Sequence, residues 1–335
     1  MYYQDSIYGP AVITEPVLLD LLQTDALQRL SNVKQHGITG VIGLTAPISR
    51  LDHSIGAMLL VRRLGGGLPE QIAALLHDVS HTAFSHVIDY VVDDHDDQSY
   101  HDTMKEVYVA QTAVPALLTE YGYTWQTLLR EENYPLLEQP SPRLCADRLD
   151  YFLRDSCDLG LADQTDIDRV LADLVVVETA VGPRICVADI AVARWLGHTF
   201  MAADDKSWAN FREVGLYEIT AQAIKRALQI GLISTDDFWL TDDVLWQKLH
   251  TSSDEQLQYW LDLVNLETDF VWDEANPTFW VSTKLRAIDP DVVVDGATGE
   301  EIRPLSQLDP TFAQQRYQYL TRKAGNWPMR VIGAA

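Results

Sequence analysis

Apolar residues recur at helical spacing through most of the first 160 positions. The segments that show this period are 17–34, 50–64, 69–81, 101–121 and 142–160. Pro16 and Pro69 stand where a first helical turn accepts proline, and Gly65 to Gly67 ends the second segment. The Gly-rich stretch 36–47 lies between the first two segments and is not expected to form a stable helix. The first half of the chain is therefore predicted to be helical.

The second half mixes helical and strand-like patterns. Two β-rich runs flank Gly182 and Pro183, as in a hairpin, and helical spacing returns over 193–265. After Pro277, β-branched residues and a glycine turn predict strands, followed by a helix over 309–324. We predict a mainly α fold with a short β-hairpin insertion and a small α+β C-terminal appendage. The predicted domains are 1–165, a helical core; 166–275, a helical continuation that carries the hairpin; and 276–335, the appendage.

The charge balance restricts the possible partners. The chain has 49 acidic and 25 basic residues, which gives a formal net charge of −24. A field of this sign repels polyanions and argues against a nucleic-acid partner. A phosphate-bearing substrate would need local cations or a bound metal, so the positions of the few Arg and Lys residues are informative.

The cysteines and the N-terminus indicate a compartment. Cys145, Cys157 and Cys186 are odd in number and widely spaced, which fits neither a disulfide framework nor a CxxC zinc site. No apolar run approaches about 18 residues, and the N-terminus lacks the regions of a signal peptide. We expect a cytoplasmic protein without a membrane segment.

Histidines are concentrated in one part of the helical region. Six of the nine lie between positions 53 and 101: His53, His77, His81, His86, His95 and His101. A single histidine on a helix is usually a structural residue. His77 and Asp78, however, are adjacent and follow an apolar run, and burying both without a partner or metal would be costly. His77 and His81, four apart on a predicted helix, are expected to share a face.

The helix predicted over 142–160 carries a second polar cluster. Its polar face contains Asp147, Tyr151, Arg154, Asp155 and Asp158, and its opposite face is apolar. Periodicity alone favours a solvated amphipathic helix. A functional face becomes the better interpretation only when this helix is considered together with the histidine-rich segments before it.

Five blocks in this order resemble a known family, the HD-domain metal-dependent phosphohydrolases, and within it the deoxynucleoside triphosphate triphosphohydrolases. The blocks are QRLSNVKQHG at 28–37, RLDHSIG at 50–56, AALLHDVSHTAFSHVID at 73–89, SYHD at 99–102 and DRLDYFLRD at 147–155. DSIYG at 5–9 is similar to the family's entry segment. The resemblance covers residues 5–165 and extends more thinly to about 240, and it implies the HD-domain helical fold.

The resemblance also implies a metal centre and a set of catalytic residues. Its metal ligands would be His53, His77, Asp78 and Asp147. Two imidazoles and two carboxylates suit a divalent Mn, Fe, Ni, Zn or Mg with open positions for water and a phosphate oxygen. The catalytic residues, which would contact phosphate, position water and transfer protons, would be His81, His86, Asp89 and His101. His95, in an acidic stretch, is expected to be an exposed residue without a role.

Substrate contacts follow from the same resemblance. Arg50 and Arg148 match phosphate-binding positions, and Gln35, Tyr151 and Asp155 match positions that recognise the sugar, chiefly its 3′-hydroxyl. His36 stands where the family often has leucine, so selectivity for sugar or base is expected to differ. Gln23 and Ser31 replace residues that bind an activating nucleotide in animal members. We therefore expect activity without nucleotide activation, which an absolute requirement for GTP would contradict.

The implied reaction is hydrolysis of a (deoxy)nucleoside triphosphate to nucleoside and triphosphate by metal-activated water. The expected partner is this nucleotide substrate, and the resemblance implies a homo-oligomer. Two alternatives stay open: monophosphate or phosphodiester hydrolysis at the same site, with oxygen chemistry ranked low, and a non-catalytic scaffold that retains the metal. Neither a GxSxG element nor a GxxxxGK[ST] phosphate loop occurs in the sequence.

Overall fold

The computed structural model describes residues 1–94, 96–296 and 299–333. His95 lies outside these described residues, so its predicted exposure is not tested. Among the helices of the described chain, none combines the length and the apolar character needed to cross a membrane.

The N-terminal half is helical, as predicted, and follows a short antiparallel hairpin of β1 (Tyr2–Asp5) and β2 (Gly9–Val12). Its helices are α1 (Pro16–Leu22), α2 (Asp25–Arg29), α3 (Ile38–Val41), α4 (Arg50–Arg63), α5 (Leu68–Leu76), α6 (Val87–Val91), α7 (Tyr100–Val109), α8 (Val114–Glu120), α9 (Trp125–Leu128) and α10 (Ala146–Asp158). Single 3₁₀ turns span Leu30–Asn32 and Glu131–Asn133.

Several predicted helices are interrupted by local side-chain hydrogen bonds. The segment 17–34 divides into α1 and α2 because Thr24 donates to the Leu21 carbonyl and accepts from the Leu27 amide. Thr112 does the same between Val109 and Val114, and it separates α7 from α8. The Gly-rich stretch 36–47 contains the single-turn helix α3.

The second half contains the remaining helices and strands. The helices are α11 (Gln164–Asp173), α12 (Ile190–Lys206), α13 (Phe211–Gln229), α14 (Asp242–Leu249), α15 (Glu255–Asp262), α16 (Leu305–Leu308) and α17 (Pro310–Lys323), with a 3₁₀ segment at Thr235–Trp239. The strands are β3 (Leu174–Thr179), β4 (Gly182–Val187), β5 (Asp269–Trp272), β6 (Phe279–Val281), β7 (Asp291–Gly296), β8 (Gly299–Pro304) and β9 (Trp327–Ile332). The fold is mainly α with small sheets, which confirms the predicted class and the hairpin.

Strands from distant parts of the chain form the sheets. The hairpin β3–β4 extends into a four-stranded sheet because β4 pairs in parallel with β7, which pairs in turn with β8. In the other sheet β9 lies between β5 and β6. Phe312 of α17 is buried against Gly197 of α12. Residues after 276 therefore share sheets and core with earlier segments, and the domain limits at 165 and 275 stay a prediction.

Helix α4 is the central element under the candidate site. A capping box of Ser49 and Asp52 fixes its first turn, and most of its side chains are buried. It packs against α5 and α10. A Cβ at Gly56 would lie 2.0 Å from Arg154 Nη2 and 2.1 Å from Asp150 Oδ1, so the close contact with α10 requires glycine at this position.

Candidate metal centre and catalytic cavity

A cavity of about 380 Å³ lies where α4, α7, α10 and the turn after α5 meet. This volume falls within the range of small-molecule sites. The sequence-predicted residues in its wall are Gln35, Arg50, His77, Asp78, His81, His86, His101, Asp147, Arg148, Tyr151 and Asp155. His53 and Asp89 lie directly behind the wall, in contact with Asp147 and His86 respectively. The structure thus brings all thirteen predicted residues to one place.

Three acceptor atoms converge at the base of the cavity. His53 Nε2 lies 3.0 Å from Asp147 Oδ1 and 3.1 Å from His77 Nε2, and His77 Nε2 lies 3.5 Å from the same carboxylate oxygen. Helix α4 provides His53, α10 provides Asp147, and His77 directly follows the last residue of α5. Three separate elements therefore place their ligand atoms within 4.8 Å of one another.

The second nitrogen of each ring settles the fit to a cation. His53 Nδ1 is 2.7 Å from Asp150 Oδ2, and His77 Nδ1 is 2.7 Å from the Ala74 carbonyl oxygen, so each Nδ1 carries the proton of the neutral ring. Both Nε2 atoms then present lone pairs toward each other and toward the Asp147 carboxylate. This arrangement of lone pairs is unfavourable unless positive charge, from a proton on one ring or from a cation, lies among the acceptors. The donor set therefore fits a divalent metal.

Asp78 lies between this acceptor cluster and the inner histidines. Its carboxylate oxygens are 3.6 Å from His77 Nε2, 3.7 Å from His53 Nε2 and 3.2 Å from His81 Nε2. Although burial opposes ionisation, the contact with His81, as a neutral hydrogen-bond donor, and the Arg50 charge hold the pKa of Asp78 well below its usual range. Burial alone would lower the pKa of His77, but the Asp78 and Asp147 carboxylates raise it to about 10. The raised pKa of His77 shows that the carboxylates favour positive charge at this ring, whereas the lowered pKa of Asp78 keeps its carboxylate ionised.

The predicted helix over 69–81 ends earlier than expected. Helix α5 stops at Leu76, and the chain turns through Asp78 and Val79 before His81. His77 and His81 therefore do not share a helix face, which corrects the prediction. Because the chain turns, His77 points to the acceptor cluster while His81 stacks on His101 with ring centroids 3.9 Å apart.

The inner histidines form a compact, uncharged group. Burial, with the Arg50 charge, holds the pKa values of His81 and His86 well below their usual range, and burial lowers the pKa of His101 to about 4. His86 Nδ1 is 2.9 Å from Asp89 Oδ2, and burial raises the pKa of that carboxyl to about 6. Within the described chain, buried His101 Nδ1 has no hydrogen-bond partner. These rings can exchange protons or bind a polar ligand without a fixed charge.

The two predicted phosphate-binding arginines are largely engaged within the protein. Arg50 donates to Asp78 at 2.7 Å, to Ser85 Oγ and to the Gln35 carbonyl. Arg148 donates to two backbone carbonyls and forms an ion pair with Glu138 at 3.3 Å. Both still border the cavity. The positive charges of Arg50 and Arg148 would attract an anion in the cavity, while most of their N–H groups donate hydrogen bonds to residues of the cavity wall.

At the end of the cavity where the sugar is predicted to bind, the Asp155 carboxylate is already hydrogen-bonded within the protein. Asp155 Oδ1 is 2.9 Å from His36 Nε2, and Oδ2 accepts from Trp208 Nε1 at 2.6 Å, so both carboxylate oxygens already have partners. Burial would lower the pKa of His36, but Asp155 raises it to about 8. Gln35 Oε1, by contrast, is buried and lacks a donor among the described residues. Of the amide and carboxylate side chains predicted to recognise the sugar, Gln35 rather than Asp155 has the acceptor without a partner.

Two groups of site residues were missed from the sequence. Asp150, which orients His53, lies inside the DRLD block, three residues after Asp147, and this spacing could have indicated it. Arg154 links Asp150 to Asp5 of the N-terminal hairpin through buried ion pairs of 2.8 and 2.7 Å. Lys284 and Arg286 border the cavity from the C-terminal third, where no local pattern indicated a role.

Comparison with known proteins agrees with this geometry. Residues 50–155 match the model of the HD domain. The chain is 37% identical over 320 residues to the metal-dependent phosphohydrolase cns2 of Cordyceps militaris, covering 95% of this chain and 91% of that protein. It is 35% identical to the protein YdhJ of Bacillus subtilis, covering 88% and 89% of the two chains. The fold and site define a metal-dependent phosphohydrolase, and the chain belongs to the HD-domain family of these enzymes.

More distant relatives include the nucleotide-hydrolysing branch. The chain is 27% identical over 237 residues to human deoxynucleoside triphosphate triphosphohydrolase SAMHD1, which covers 55% of this chain and 37% of that protein. A solved phosphohydrolase structure from Bacteroides thetaiotaomicron superposes with a TM-score of 0.71 at 17% identity, over 98% of this chain and 99% of that one. At this identity the structural likeness shows the fold alone.

Proposed function

We propose that the protein hydrolyses (deoxy)nucleoside triphosphates to nucleoside and triphosphate. The observation that carries this proposal is a cluster of imidazole and carboxylate acceptors at the base of a cavity that cationic side chains border in an otherwise acidic protein. The distant likeness to SAMHD1 supports the substrate class.

In this proposal His53, His77, Asp78 and Asp147 hold one divalent cation. When bound, the metal lowers the pKa of its water and offsets negative charge that develops on phosphorus. Asp150 and the Ala74 carbonyl keep the two rings in the tautomer that leaves Nε2 unprotonated. Arg50 fixes the Asp78 carboxylate through its 2.7 Å contact.

The inner residues handle water and protons. His81 and His101, held by stacking, would position the attacking water and contact a phosphate oxygen. His86 would first be protonated when the bound substrate phosphates offset the nearby cations that lower its pKa, and would then pass this proton from Nε2 to the departing 5′-oxygen, while Asp89 contacts Nδ1 and stabilises the charged ring. Gln35, Tyr151 and Asp155 would contact the nucleoside. Asp155 would do so only if the substrate displaces His36 or Trp208, so we expect weak discrimination at the 3′-hydroxyl.

A substrate panel tests the proposal. It comprises dNTPs, NTPs, nucleoside monophosphates and cyclic or dinucleotide diesters, each with Mn, Fe, Mg and Ni, and released triphosphate is scored separately from orthophosphate. Triphosphate release supports the proposal. Orthophosphate from monophosphates, or cleavage of diesters without triphosphate release, would instead establish the alternative reaction at the same site.

A variant separates catalysis from a structural role of the metal. His101→Ala removes a cavity ring that does not belong to the proposed ligand set, so metal content should stay at the parental level while turnover is lost. A parent protein that binds metal and is stable but turns over no member of the panel would favour the scaffold alternative.

A further inference from the structure

We propose that Lys284 and Arg286, together with Arg148, form an anion subsite that holds the substrate phosphates following the attacked one. This inference rests on the proposed function and assigns a role to a segment in which the sequence shows no motif. All three side chains border the catalytic cavity.

The two cations lie on a segment that the fold holds firmly. Residues 282–290 run without helix or strand between β6 and β7. Tyr90 donates to Thr283 Oγ1 at 3.1 Å, the Arg286 amide donates to Asp204 at 3.1 Å, and Ala287 and Ile288 are buried. These contacts fix the backbone that carries the two positively charged side chains. Lys284 and Arg286 are two positions apart, and both line the cavity.

Neither cation is neutralised by a carboxylate in the part of the chain that the structure describes. Among the residues that the structure describes, Lys284 and Arg286 form no ion pair; Lys284 donates to the Asp97 carbonyl at 3.0 Å, and Arg286 to the Gln98 amide oxygen and the Lys284 carbonyl. Three carboxylates in the same cavity wall already have a cationic partner. Asp102 and Glu131 form ion pairs with Lys105, and Glu138 forms one with Arg148.

The positive charges of this segment lower the pKa values of neighbouring groups. Although Lys284 is an exposed residue overall, desolvation of its ammonium group beside the cavity lowers its pKa, and repulsion from Arg286 and Arg148 lowers it further, so the three cations are close enough to repel one another. Lys284 and Arg286 also contribute to the low pKa of His86. Lys284 and Arg286 lack ion-pair partners among the described residues although the chain has a net charge of −24. Their mutual repulsion is electrostatically unfavourable, and a bound polyanion would reduce it.

The geometry points to an anion longer than one phosphate. In the proposed function the metal held by the acceptor cluster would contact a single phosphoryl group at the base of the cavity, whereas Lys284 and Arg286 enter from a different segment and contact the loop at 97–98. A monophosphate would leave them unused. A triphosphate chain would supply the additional negative charge.

Inorganic triphosphate and orthophosphate are the probes. Each is titrated into the metal-loaded parent, Lys284→Gln, Arg286→Gln, Arg286→Lys and the control Arg303→Gln, an exposed strand residue outside the cavity. The parent should bind triphosphate more tightly than orthophosphate. Lys284→Gln and Arg286→Gln should each weaken triphosphate binding by about tenfold and leave orthophosphate binding unchanged. Arg286→Lys should restore part of the loss, and Arg303→Gln should match the parent.

The subsite proposal would be overturned if the Gln variants bound both probes equally more weakly, or if they bound triphosphate as tightly as the parent does. Thermal unfolding identifies a variant that has lost its fold, and Lys284→Gln, at an exposed position, is the safer of the two. The two proposals fail separately. NTP hydrolysis with parental KM in both Gln variants would remove the subsite and keep the function, whereas selective triphosphate binding without NTP turnover would keep the subsite and remove the function.

Discussion

Replacing Asp150 with Asn tests how the protein prepares its metal ligands. Asp150 is fully buried and contacts His53 Nδ1 at 2.7 Å on one side and Arg154 on the other. Asparagine keeps the shape of the side chain but loses its negative charge. That charge holds the proton on His53 Nδ1 and makes Nε2 a stronger metal ligand. Changes to partners of this kind reduce metal affinity by about 10- to 100-fold, or roughly 1.4–2.7 kcal/mol.

The same change also weakens a buried ion pair, so a control is needed. Asp5→Asn alters the other partner of Arg154, 2.7 Å from its Nη2, and does not touch His53. Both variants should lose stability in chemical denaturation, because one side of a buried pair is uncharged. Only Asp150→Asn should lower the affinity for Mn measured by calorimetry. Parental metal affinity in Asp150→Asn, or an equal loss in Asp5→Asn, would refute the reasoning.

Two further predictions concern packing and protonation. Gly56→Ala places a Cβ 2.1 Å from Asp150 Oδ1, so it should lower the free energy of unfolding by about 3 kcal/mol, whereas Gly67→Ala, whose nearest contact is 3.7 Å, should not; equal stability of the two variants would contradict this. The folded pKa of His36 is raised to about 8, so protonated His36 should stabilise the fold by about 2 kcal/mol below about pH 6.5, and this should be lost as pH rises through about 8. His36→Gln should therefore be less stable than the parent at about pH 6 and closer to it at about pH 9; a difference independent of pH would contradict the assignment.

Much of the fold and the candidate site could be predicted because the signals are local. The helices α4 and α10 follow from apolar spacing, and the family resemblance of the sequence blocks implied that His53, His77 and Asp147 share one site, where the structure places them. The prediction was wrong where the chain leaves a helix without a local sequence signal. The end of α5 at Leu76 is an example, since nothing in the helical period of 69–81 marks that turn.

The remaining features depend on contacts between distant segments. The pairing of β4 with β7 joins residues more than 100 positions apart, and Lys284 and Arg286 reach the cavity only because that arrangement carries their segment across it. The engagement of Asp155 by His36 and Trp208 is equally non-local. Sequence spacing carries no information on such partners, so the polar face of α10 could be predicted but its hydrogen bonds could not.

The most direct measurement is the divalent metal content and affinity of the purified protein compared with Asp147→Asn. Asp147 is the carboxylate shared by both convergent imidazoles, at 3.0 and 3.5 Å. The account predicts a divalent cation bound by the parent and its loss, or a large fall in affinity, in the variant, with the helical content unchanged. A parent that binds no divalent cation, or a variant that binds it as tightly as the parent, would contradict the proposed metal centre.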